Sequence, residues 1–230
     1  MQGELSSALT RIVRAPVALT VAGRTDAGVH ALGQVAHADL PELIEARRLN
    51  SALPPDVRVR AVTVVPASFD ARFAALWRRY EYLIADTTAN PLRRRYVLAW
   101  PRSLDAEAMA RAAAKLVGEH DFVAFCRRRD GATSVRAVQS FGVARVGDEI
   151  AVTVQADAFC HSMVRSLVGA LIAVGQGRRD EDWPASLLAR TDRADEVTVA
   201  PPHGLTLLAV GYPPDAELAA RAAQTRRRRA

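Results

Sequence analysis

Apolar residues recur at helical spacing in GELSSALTRIV (residues 3–13), which predicts an amphipathic helix at the start of the chain. The short apolar run ALTVA (18–22) then reads as a strand entering a glycine-rich turn, and GQVAHADL (33–40) as the strand leaving it. PELIEARRLNSAL (41–53) has helical spacing with Pro41 in its first turn. DVRVRAVTVV (56–65) alternates with period two and predicts a half-buried strand, and RRYEYLIAD (78–86) is another strand candidate.

A second cycle follows Pro101. Asp105 is placed to cap AEAMARAAAKLVG (106–118), a helix that Gly118 would end. AVQSFGVARV (137–146) and EIAVTVQAD (149–157), separated by Gly147 and Asp148, predict a β-hairpin. CHSMVRSLVGALIAVG (160–175) reads as an apolar helix, WPASLLART (183–191) as a shorter one and LTLLAVGY (205–212) as a closing strand. Strand signals stop near Asp215. The expected architecture is α+β in two related lobes with mainly antiparallel sheets, residues 1–100 and 101–214, followed by a basic, disordered tail over 215–230.

With 230 residues and 50% hydrophobic composition, the chain can bury a substantial core. No apolar run reaches the roughly 18 residues of a membrane span, and MQGELSSALTRIV lacks the layout of a signal peptide, so a cytoplasmic protein is expected. Cys126 and Cys160 form no framework or CxxC pair and read as reduced, buried thiols; no metal site is expected.

The net charge is +6, but the run Arg226 to Arg229 supplies four positive charges, and without it the balance is +2. Lys115 is the only lysine, so the abundance of arginine is partly a compositional bias. Interior groups such as Arg78 and Arg79, Arg93 to Arg95, Arg127 to Arg129, and Arg178 with Arg179 would suit a phosphate backbone if they shared one face.

The stretch TVAGRTDAGVHALGQVAH (20–37) concentrates the candidate chemistry. Gly23 and Gly28 bracket Asp26 and allow close backbone approach, while Arg24 sits two residues away. A carboxylate beside a guanidinium stays ionised, as a nucleophile must; the competing reading is an aspartate that bonds its own turn. His30 and His37 read as core or turn histidines. There is no GxxxxGK[ST] loop, GxSxG elbow, HExxH or GxGxxG fingerprint in the chain.

AGRTDAGVHALGQVAH resembles the signature of the TruA family of tRNA pseudouridine synthases. NSALPPDV, FDARFAALWRRYEYLI, GEHDFVAF, DAFCHSMVRSLVGAL and GLTLLAVGYP resemble that family's later blocks, in the same order. The resemblance spans residues 2–213. It implies isomerisation of uridine to pseudouridine on the 3′ side of the tRNA anticodon stem-loop, with no cofactor and no metal. Asp26 matches the family's catalytic aspartate, which attacks either the uracil ring or the ribose anomeric carbon. Arg24 matches an arginine that enters the space left by the flipped uridine, a simple salt bridge being the other reading.

Tyr80 matches the aromatic that stacks on the target base; period two puts it on one face with Tyr82, so core packing competes for both. Arg165 matches the basic partner of the aspartate, and an arginine among Met163, Val164, Leu167 and Val168 needs a buried anion. The resemblance further implies two lobes whose sheets join at a basic cleft, and a homodimer that touches one tRNA with both subunits.

One departure stands out. Family members begin with a strand carrying Tyr-Asp-Gly and Gly-Trp-Gln-Arg-Gln patterns, whereas Met1-Gln2-Gly3-Glu4 falls where a later link is expected. A start placed at an internal GTG codon, or true loss of the strand, would explain this. Loss would expose a sheet edge, which supports the alternative of a catalytically weakened tRNA-binding protein. A generic polyanion binder driven by the arginine tail would explain only the charge.

Overall fold

Trp77–Ala85 alternates between buried and more accessible side chains, the signature of a strand, and in the computed structural model it is the strand around which the main sheet is built. The structure describes residues 1–127 and 133–229. Arg128 and Arg129 of the arginine triplet lie outside the described residues.

In chain order the elements are α1 (Gln2–Val13), β1 (Thr20–Val21), β2 (His30–Ala31), β3 (Ala36–His37), α2 (Ala46–Ser51), β4 (Trp77–Ala85) and β5 (Leu98–Ala99). Then come α3 (Ala106–Ala114), β6 (Gly118–Asp121), β7 (Val135–Val146), β8 (Glu149–Ala156), α4 (Met163–Gly175), α5 (Trp183–Ser186), β9 (Leu205–Gly211) and α6 (Leu218–Arg229). The fold is α+β, with a mainly antiparallel sheet.

The chain divides into two compact units. One contains Met1–Arg24, Val35–Ala75 and Tyr212–Arg227. In it, β1 pairs antiparallel with β3, and α1 packs Ala8 and Leu9 with Ile44, Leu49, Leu53 and Val57. Two expectations change here. Residues 56–65 form no strand, because the backbone of Val59 is taken by a side chain: its amide donates to Asn50 Oδ1 at 2.7 Å and its carbonyl accepts from Asn50 Nδ2 at 2.8 Å. Helix α2 begins at Ala46, five residues after Pro41.

The tail also differs from the expected disorder. Residues 218–229 form α6, in which Leu218 and Ala222, one turn apart, are buried with Ala74 against Phe69, Phe73 and Tyr212. Arg226 pairs with Asp70 at 2.7 Å. The arginine run hides this apolar stripe when the sequence is read by composition.

The other unit contains Thr25–Gln34 and Leu76–Gly211. Its sheet runs β2-β9-β4-β8-β7-β6, with β5 parallel to the end of β4. The β7–β8 hairpin turns at Gly147, whose φ of 59° suits glycine. Strand β4 lies between β8 and β9, both from later in the chain, with Tyr80 opposite Val154 and Leu207. Helix α3 is capped by the Asp105 side chain, which accepts from the Ala108 amide at 2.9 Å.

Helix α4 is apolar on nearly every face and buries Leu167, Val168, Leu171 and Ile172 in the core. It begins at Met163 rather than Cys160, because the preceding segment is engaged elsewhere. Cys160 is joined to Cys126 by a disulfide, with Cα atoms 5.6 Å apart, in place of the reduced thiols expected. The Arg127 amide donates to the His161 carbonyl at 3.0 Å, so two segments remote in sequence run side by side and the sulfurs meet.

Close approach at Gly169 fixes where α4 lies: a Cβ there would collide with the Thr198 carbonyl. The Gly169→Ala variant must therefore shift the helix or the 198–200 segment, and a loss of about 2 kcal/mol is expected in urea unfolding.

Asp86, just past β4, is buried; Arg145 donates to both its oxygens at 2.8 Å and the Leu104 amide to Oδ2 at 2.8 Å. The Arg145 bonds hold its carboxyl below the usual range. A lowered carboxyl stabilises the fold above the ordinary value of about 4 and ceases to do so as pH falls through its own lower value. Asp86→Asn is expected to cost about 2 kcal/mol at neutral pH, and the gap to wild type should narrow in acid unfolding measurements.

Candidate active site

Asp26 lies in the turn before β2, which its own carbonyl closes by accepting from the Val29 amide at 3.1 Å. Gly28 takes φ of 85°, and a Cβ on it would lie 3.0 Å from Pro202 Cγ, so the turn needs glycine for both conformation and space. The bond Asp26 makes within its own turn is thus through its backbone carbonyl, while its carboxylate points to other partners.

Arg165, in the first turn of α4, donates from Nη1 to Asp26 Oδ2 at 2.7 Å and from Nε to the Ala200 carbonyl at 2.7 Å. The Ala200 amide in turn donates to the Arg165 carbonyl at 3.0 Å. One guanidinium is thus fixed in the core wall and aimed at one carboxylate oxygen. Ser162 adds a bond from Oγ to the same Oδ2 at 3.3 Å. Its φ of 64° is left-handed, uncommon for a residue with a side chain, and it occupies the position that begins the helix. The positive end of the α4 dipole also favours an anion there.

The other oxygen, Oδ1, lies 3.3 Å from His161 Nε2. The carboxylate therefore has two unequal atoms: Oδ2 is held by Arg165 and Ser162, and Oδ1 faces an imidazole. The Asp26 side chain keeps 24% of its surface accessible and His161 37%, so both can meet an incoming molecule.

Tyr80, on β4, is largely buried and meets Phe159 edge-on, with ring centroids 5.2 Å apart. Burial pushes its phenol up to about 12; the Arg78 charge opposes this and the negative charge of Asp26 adds to it. Tyr80 is accordingly both a core residue and a neighbour in the field of Asp26. Tyr82 is purely structural: fully buried, it donates to the Pro201 carbonyl at 2.8 Å. Arg78 is also buried and donates to the Asp157 carbonyl at 2.7 Å, so this arginine is not part of a solvated basic face.

The structure thus brings Asp26, Arg165 and Tyr80 into one unit. Arg24 is exposed and is the last residue of a segment of the other unit. His161 and Ser162 were not singled out by sequence reasoning. Their signal lay in position: they immediately precede the α4 turn that carries Arg165. Among the described residues no three His, Cys, Asp or Glu side chains gather as a metal ion would require. No helix among them is long and apolar enough to cross a membrane.

Residues 112–213 match the profile of a family described as tRNA pseudouridine synthase. A tRNA pseudouridine synthase A from Frankia casuarinae is 59% identical, the match covering 98% of this chain and 85% of the relative. The Streptomyces griseus protein of that name is 53% identical, over 98% and 84%. The one from Mycobacterium leprae is 48% identical, over 96% and 85%. With 48–59% of residues identical to these relatives along nearly its whole length, the chain belongs to the tRNA pseudouridine synthase A (TruA) family.

Proposed function

We propose that this chain isomerises uridine to pseudouridine in the anticodon stem-loop of tRNA, with Asp26 as nucleophile. The observation that carries this reading is the asymmetry of the Asp26 carboxylate. Arg165 holds Oδ2 at 2.7 Å, leaving Oδ1, on a side chain that keeps 24% of its surface, to attack an electrophilic carbon of the nucleotide. Positioning of this kind substitutes for the entropy of bringing two groups together and suits an isomerisation within one substrate.

In this reading the target uridine is flipped out of the stem-loop, Tyr80 stacks on its base and Arg24 occupies the space it leaves. Flipping gives Asp26 access to a carbon that is shielded in a stacked strand. The protein acts as a homodimer, since a tRNA is long compared with one chain of 230 residues.

The test uses unmodified tRNA and its isolated anticodon stem-loop. Asp26→Asn is nearly isosteric and can keep a hydrogen bond from the Arg165 guanidinium to its amide oxygen, but its amide cannot act as the nucleophile. Expected are wild-type formation of pseudouridine on both RNAs, retention of RNA binding by Asp26→Asn within a few-fold, and loss of product by at least about 1,000-fold. A variant that still isomerises removes Asp26 from this role. Binding without product in the wild-type chain would favour the weakened RNA-binding alternative.

A further inference from the structure

The isomerisation moves one proton as well as one bond. While Asp26 Oδ1 bonds to the carbon it attacks, the C1′–N1 bond breaks and its electron pair stays on N1; C1′ then bonds to C5, and the Oδ1–carbon bond breaks with its pair returning to the carboxylate. At that stage C5 carries both the sugar and its original hydrogen. The hydrogen leaves as a proton, its bonding pair returns to the ring, and N1 gains a proton. The net change is one proton from C5 to N1, with no oxidant, reductant or other reactant, so a base must act beside the nucleophile. Its identity is not contained in the assignment of Asp26.

We propose that His161 is that base: its Nε2 accepts the C5 proton and the resulting imidazolium returns a proton to N1, directly or through water. The inference rests on the isomerase reading above and concerns a second group at the same site.

The geometry favours His161 on three counts. First, Nε2 lies 3.3 Å from Asp26 Oδ1, the oxygen not bonded by Arg165, so a carbon bonded to Oδ1 would bring the substrate against the imidazole. Second, its position is set from both sides of the backbone. Cys160 is tied to Cys126, the His161 carbonyl accepts from the Arg127 amide at 3.0 Å, and Ser162 contacts Asp26 Oδ2 at 3.3 Å. Third, the side chain retains 37% of its accessible surface, so the ring can exchange its proton with water between steps.

The neighbouring groups are less suited to the task. Asp26 Oδ1 is occupied while it is bonded to the substrate, and Oδ2 is committed to Arg165 and Ser162. Arg165 stays charged at any working pH. Burial and the nearby Asp26 charge keep the Tyr80 phenol protonated at neutral pH, with its value pushed up to about 12 against the opposing Arg78 charge. Of the side chains placed against Asp26, only an imidazole takes up and releases a proton near neutrality.

The test is single-turnover conversion of a stem-loop whose target uridine carries hydrogen or deuterium at C5, using wild type, His161→Gln and His161→Ala. General-base catalysis is worth about 100-fold or more, so both variants should slow by at least that factor while binding RNA normally. Removal of the C5 proton should then limit the rate, so deuterium slows the variants more than the wild type. Added imidazole should restore part of the His161→Ala rate in proportion to its free base. An unchanged rate in both variants overturns the proposal. So does a fall with no added isotope effect and no imidazole rescue, which marks His161 as only a structural prop. Absence of product from the wild-type chain overturns the isomerase reading itself, and this proposal with it.

Discussion

Arg165 is the residue on which the site depends, because it makes two bonds in two directions. Its Nε is fixed to the Ala200 carbonyl and its Nη1 reaches Asp26, both at 2.7 Å. A guanidinium among apolar neighbours is costly to bury without an anion, and a carboxylate at a turn is free to reorient without a cation. Each supplies what the other lacks. The result is a carboxylate whose oxygens differ in their partners, Oδ2 meeting Arg165 and Ser162 and Oδ1 meeting His161.

The short segment from Thr198 to Pro202 transmits this constraint to the rest of the unit. Thr198 receives α4 at Gly169, Ala200 holds Arg165 through both backbone groups, Pro201 takes the Tyr82 hydroxyl, and Pro202 packs at Gly28 beside Asp26. Helix α4, strand β4 and the Asp26 turn, far apart in sequence, thus share one support. The strands around β4 bury the aromatic face behind it, and α4 contributes an almost wholly apolar helix whose one charged residue faces the site. Rigid elements position the chemistry more accurately than loops can.

Much of this was legible before any coordinates. Apolar and turn patterns marked β4, the β7–β8 hairpin and β9 as strands and α1, α3 and α4 as helices. The conflict of a charged Arg165 in an apolar helix pointed to a buried anion, and Asp26 is that anion. What failed was local pattern without a partner: 56–65 alternates like a strand, yet Asn50 takes the Val59 backbone. The α6 stripe of Leu218 and Ala222 was obscured by the arginines that follow it. The meeting of Cys126 with Cys160, and of His161 with Asp26, depends on tertiary neighbours 34 and 135 residues away in the chain, which spacing does not encode.

The central proposal is that a rigidly aimed guanidinium holds Oδ2 of Asp26 and leaves Oδ1 to react. It is tested most directly by single-turnover pseudouridine formation with Arg165→Lys, alongside RNA binding. Lysine keeps the charge but cannot bridge Ala200 and Asp26 in the same fork. The account predicts a rate lower by about 100-fold, as expected for misplacement of a reacting group, with RNA binding changed by no more than a few-fold. A lysine variant that isomerises uridine at the wild-type rate would contradict it.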